Sequence, residues 1–152
     1  MMDAAREAAV WARVRGEQPP ASQAAQWSAE TAAALYQAEA AAAYTYQRLA
    51  GRCRGSLRRS LLGLAQEAAA QRRSLEAVVY LLQGTKPPQP KVETGGSFAS
   101  ALRDAFQREA SGAEDAFALA PQAGIHGETI CRLGKSREKR AKALFCLVRR
   151  VL

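Results

Sequence analysis

At 152 residues and 16.3 kDa, the chain is long enough for one compact domain with a short appendage. Its composition is 48% hydrophobic, 24% charged and only 7% aromatic; alanine dominates, which favours helix, and no apolar run reaches the roughly eighteen residues of a membrane-spanning helix. The excess of 22 Lys plus Arg over 14 Asp plus Glu, a formal charge of +8, favours polyanionic partners but does not bear on fold.

Residues 3–15 read as a short amphipathic helix with Val10, Trp11 and Val14 on one side, stopped by Gly16 and the Pro19-Pro20 pair. Residues 1–20 are therefore expected to form a leader helix and linker, and residues 21–152 the main domain. The next helix begins at Ser22 or Ser28, either of which can cap it, and runs to about Arg52. Gly55-Ser56 breaks the chain before a helix from Leu57 to Gln83. Gly84 then stands where a left-handed C-terminal cap is favoured, with Pro87, Pro88 and Pro90 beyond it. After Gly95-Gly96-Ser97 a third long helix is expected to about Ala120. Pro121 and Gly124 end it, and a fourth runs from near Gly127 to the C-terminus. A helix over 57–83 spans about 40 Å, and the linker 84–96 reaches roughly 43 Å when extended. That linker can run the length of a bundle. One long crossover between the second and third helices is the connection of ferritin-like four-helix bundles.

A glutamate interrupts each apolar stripe near its middle. Glu39 lies among Ala32, Leu35, Tyr36, Ala42, Ala43, Tyr46 and Leu49; Glu109 lies among Phe98, Leu102, Ala105, Phe106, Ala113 and Ala116. Glu138 is framed by Gly134, Ala141, Phe145, Val148 and Leu152, and Glu67 sits at the edge of a stripe of Leu57, Leu61, Leu64, Leu75, Val78 and Leu82. All four are near helix midpoints, so they are expected to meet at one level of the bundle. Four ionised carboxylates in a core cost several kcal/mol per ion unless compensated. Two divalent metals would supply that compensation.

The segment LYQAEAAAAYTYQRLAG resembles the first metal-binding helix of rubrerythrin-type ferritin-like proteins, with Tyr46 seven residues after Glu39. LAQEAAAQRRSLEAVVYLLQG is similar to that family's Glu-x-x-His helix, and ALRDAFQREASGAEDAFALA and RLGKSREKRAKALFCLVRRVL resemble its third and fourth helices. The resemblance spans residues 28–152. It implies an all-α ferritin-like four-helix bundle, a pair of Fe or Mn ions held by Glu39, Glu67, Glu109 and Glu138, chemistry on iron or peroxide, and a homodimer. The chain departs from the pattern at two places. The positions three residues after Glu67 and Glu138, where the family has histidine, are Ala70 and Ala141. The single histidine, His126, is near the start of the last helix, about 18 Å along its axis from the expected centre. The rubredoxin-like cysteine site of full rubrerythrins is also missing.

A carboxylate-only site leaves enzymatic activity open and suits harder ions, with reduced affinity. The alternative is a metal-free pseudo-enzyme scaffold that binds a protein partner, its glutamates neutralised by Arg48, Arg72, Arg108, Arg137 or Lys142 and hydrogen-bonded by Gln71, Tyr36 or Tyr46. A third reading is a basic module for nucleic acid or acidic lipid, built on the amphipathic stretch 135–152; a solvated helix face accounts for that stretch more simply. Cys53, Cys131 and Cys146, an odd number without a Cys-x-x-Cys pair, suggest reduced thiols and a cytoplasmic location. The Gly-Lys-Ser of GETICRLGKS lacks a preceding strand and is rejected as a phosphate loop.

Overall fold

The computed structural model describes residues 26–93 and 95–151; the expected leader helix at 3–15 lies outside them. Four α-helices make up the described chain: α1 (Ala29–Ala50), α2 (Gly55–Gln83), α3 (Phe98–Leu119) and α4 (Gly127–Val151). Among the described residues no helix is long and apolar enough to cross a membrane.

The helix boundaries follow local chemistry. Ser28 caps α1, its side chain accepting from the Thr31 N–H, and Ser97 caps α3 in the same way through Ser100. Gly84 ends α2 at φ 75°, the left-handed cap that glycine adopts without a Cβ penalty. Pro121 and Gly124 divide the α3–α4 turn into two short 3-10 segments, Ala120–Gln122 and Gly124–His126. The start of α2 differs from expectation. Gly55 and Ser56 belong to its first turn, and Arg54 precedes it without a side-chain cap.

Two tight hairpins, α1–α2 and α3–α4, associate chiefly through α2 and α4. The core divides into two ends. At one, Leu35 and Tyr36 of α1 meet Leu75 and Val79 of α2, Leu119 of α3, and Ile130 and Leu133 of α4. At the other, Tyr46 and Leu49 meet Leu61 and Leu64, Leu102, and Leu144 and Leu147. The end of α2 is thus at the first end and the start of α3 at the second, so the linker crosses the full bundle. It is anchored on the way, where Gln89 Nε2 donates to the Tyr36 hydroxyl at 2.9 Å.

The α1 and α3 stripes bury the expected faces, Glu39 and Glu109 included. The α4 stripe is corrected. Its buried residues are Ile130, Leu133, Gly134, Arg137, Arg140, Ala141, Leu144 and Leu147, whereas Phe145 is half-exposed and Glu138 faces water. The physical reason is the choice between two overlapping stripes: turning Leu144 and Leu147 inward brings Arg137 and Arg140 with them.

The α3–α4 turn is tight enough to require glycine. A Cβ on Gly127 would stand 2.8 Å from the Ala120 carbonyl oxygen, a backbone atom that cannot swing aside. Gly127→Ala would gain about 1 kcal/mol in an unconstrained helix. Here it is expected to cost a net 1–2 kcal/mol through crowding, measured as a lower urea midpoint with an unchanged slope.

Candidate functional site

The central feature is a buried charge cluster contributed by three helices. Arg140, fully buried on α4, reaches between Glu39 of α1 and Glu109 of α3. Its Nη2 donates to Glu39 Oε1. Its Nε lies 3.0 Å from Glu109 Oε2, in ion-pair contact but misaligned for a hydrogen bond. Arg140 Nη1 has no hydrogen-bond partner among the described residues. Arg137, one turn away, has its Nε 3.7 Å from Glu39 Oε1, and its Nη1 donates to the Gly112 carbonyl at 2.9 Å. Gly112 makes room for this side chain: a Cβ there would stand 3.0 Å from Arg137 Nη1 and 3.2 Å from its Cδ. Two carboxylates therefore face two guanidiniums.

Titration in the cluster follows the competition between burial and charge. Burial raises Glu109 to about 7, helped by Glu39 and opposed by Arg140, Arg137 and a hydrogen bond from Tyr46. Burial also raises the Tyr46 hydroxyl far above its usual value, with the Glu109 charge adding to the effect. Burial pulls Arg140 down, but Glu39 and Glu109 outweigh it and the guanidinium is held above its ordinary value.

Of the four glutamates expected to converge, the structure brings together two. Glu39 and Glu109 share Arg140. Glu67 sits at the bundle edge, as its place on the stripe suggests, 2.6 Å from Lys139 Nζ and accepting from Ser136 Oγ at 3.4 Å. Glu138 is turned to solvent and pairs with Lys142 one turn on, at 3.5 Å. Among the described residues, no three His, Cys, Asp or Glu side chains gather closely enough to hold a metal ion. His126 is beside Trp27, with ring centroids 6.4 Å apart, far from the cluster in sequence and at the α3–α4 turn. Arg137 was among the cations expected to neutralise the glutamates. Arg140 was not, although its spacing from Leu133, Leu144 and Leu147 places it on the same face.

The two hairpins splay apart on the α1–α3 side, leaving a groove of about 1330 Å³ roofed partly by the linker. Its walls include Ala34, Ala38 and Ala41, and Glu39, Tyr46, Glu109 and Arg137 line its depth. Glu109 and Arg137 are each only 5% exposed at its floor, and Arg140 lies wholly beneath them. The chain matches no protein-family model, no curated protein and no solved structure.

Proposed function

We propose that this protein is a metal-free, ferritin-like scaffold, a pseudo-enzyme that acts by contacting a partner rather than through chemistry on iron or peroxide. The observation that carries the reading is the Arg140 guanidinium seated between Glu39 and Glu109. Di-iron bundles use single glutamates on two helices and an inward Glu-x-x-His pair on each of the other two. Here Glu39 and Glu109 stand as the single glutamates. The inward pair on α4 is Arg137-x-x-Arg140, and the α2 stripe at this level offers Ala68 and half-buried Gln71. Two guanidiniums already equal the greatest negative charge that the two carboxyls can carry, and exceed it when Glu109 is protonated. Two divalent metals would add four positive charges to that set, so these residues do not fit a metal pair.

Large apolar side chains remain on the surface, including Leu81, Ile125 and Phe145, and these are natural points of protein contact. A homodimer is one form such contact can take.

Elemental analysis of protein purified without chelator, paired with melting curves in excess Fe²⁺ or Mn²⁺, tests the reading. The expected result is no stoichiometric metal and an unchanged melting temperature. A metal that binds the native state would instead stabilise it by about 2.7 kcal/mol at a hundredfold excess over its Kd. Two ions per chain together with such a shift would overturn the scaffold reading.

A further inference from the structure

The charge surplus is not spread evenly. No acidic residue occurs between Glu39 and Glu67, and none follows Glu138. Antiparallel packing brings those two stretches to the same end of the bundle, where α1 ends, α2 begins and α4 ends. Arg52, Arg54, Arg58, Arg59, Arg149 and Arg150 are all exposed there. Arg150 Nη2 donates to Ser56 Oγ at 3.0 Å, tying the last turn of α4 to the first turn of α2. The Arg52 guanidinium lies 5.7 Å from the Phe98 ring centre at the start of α3, and that of Arg149 lies 5.9 Å from the Phe145 ring. No ion pair is formed by any of the six among the described residues. The acidic residues that share a groove with Arg52 near this end are Glu93 of the linker and Asp104 of α3.

We infer that this end of the bundle is a docking surface for the phosphate backbone of duplex nucleic acid. Three features favour that partner. Every basic residue in the set is arginine, whose planar fork binds phosphate bidentately and is weakly hydrated. Ring contacts and the Ser56 hydrogen bond restrain three of the six, which lowers the entropy lost on binding. The tip itself, Gly51–Ser56, carries no large apolar side chain to insert into a bilayer, and Phe145, the half-exposed ring near the end of α4, lies against the Arg149 guanidinium, which together weigh against a membrane partner. Binding is through charge, without base readout. The surface is remote from the Glu39–Arg140–Glu109 cluster, so the inference stands independently of the scaffold reading.

Fluorescence anisotropy with a labelled DNA duplex of about 20 base pairs and arbitrary sequence tests it, using the full chain. With about four phosphates contacted, affinity should fall on the order of 10²-fold between 50 and 200 mM salt. The variant R54Q/R58Q/R59Q should lose at least about tenfold in affinity and have a salt slope shallower by two to three. A control, R73Q/R132Q/K135Q, removes the same charge from exposed sites elsewhere and should lose much less. Melting curves of both variants establish that they are folded, and the wild-type salt slope is read without any variant. Equal losses in the two variants, no duplex binding at 50 mM salt, or tighter binding to phosphatidylserine vesicles than to the duplex would each overturn the inference.

Discussion

Arg140→Ala is expected to destabilise the protein by about 3–5 kcal/mol, the range for removing one partner of a buried ion pair. For a chain of this size that lowers the melting temperature by on the order of 10 °C. The loss comes less from the missing attraction than from what stays behind. Glu39 would keep only Arg137, at 3.7 Å, and Glu109 would lose its nearest cation. A companion variant separates these contributions. Replacing Glu39, Glu109 and Arg140 together by leucine removes the three buried charges while roughly filling their volume, and such replacements are often neutral or stabilising. Arg137 keeps its Gly112 acceptor and its access to the groove. The triple variant should therefore be more stable than Arg140→Ala and close to wild type. Urea unfolding of all three proteins checks this through the midpoint at constant slope. An Arg140→Ala variant within 1 kcal/mol of wild type would show that water or side-chain movement reaches the cluster and relieves the unpaired carboxylates.

The same cluster marks where reading the sequence succeeded and where it failed. Glu39 and Glu109 were legible because each has three-and-four-spaced apolar neighbours on a single unambiguous stripe. The linker was legible from length alone: a chain too long for a turn and as long as a helix has a geometric use. On α4 two stripes compete, one through Phe145 and Val148, the other through Leu144 and Leu147, separated by about 100° of helix rotation. The first turns Glu138 inward and the second turns Arg137 and Arg140 inward. An isolated helix favours keeping arginine in water, so the sequence alone leans toward the first. Tertiary structure reverses that preference, because carboxylates from α1 and α3 already occupy the opposite face and attract the guanidiniums. Glu67, at the margin of its stripe, was a warning that the fourfold convergence was incomplete. The α1–α3 groove has no local cue, since alanine-rich faces suit close packing and open walls equally well.

Between pH 5 and pH 8 the wild-type protein is expected to lose stability, and Glu109→Gln should abolish most of that loss. The sign follows from Glu109, whose carboxyl is raised by burial from its ordinary 4.5 to about 7. Between those values the native state holds a proton that the unfolded chain has released, so stability is fully present below about 4.5 and declines as pH rises through 7. A shift of this size corresponds to roughly 3 kcal/mol. The Tyr46 hydroxyl, raised further, stays protonated across this interval and does not contribute to the slope. Glutamine keeps the shape of the side chain and an acceptor for Tyr46, so near pH 5 it closely imitates the protonated carboxyl. The two proteins should therefore have nearly equal melting temperatures at pH 5 and diverge toward pH 8, with Glu109→Gln the more stable. Their difference cancels titrations elsewhere in the chain. The opposite divergence, with wild type more stable at pH 8, would mean that attraction from Arg140 exceeds the cost of burying the charge. Glu109 would then be a full ionic partner in the cluster rather than a carboxyl whose burial favours protonation.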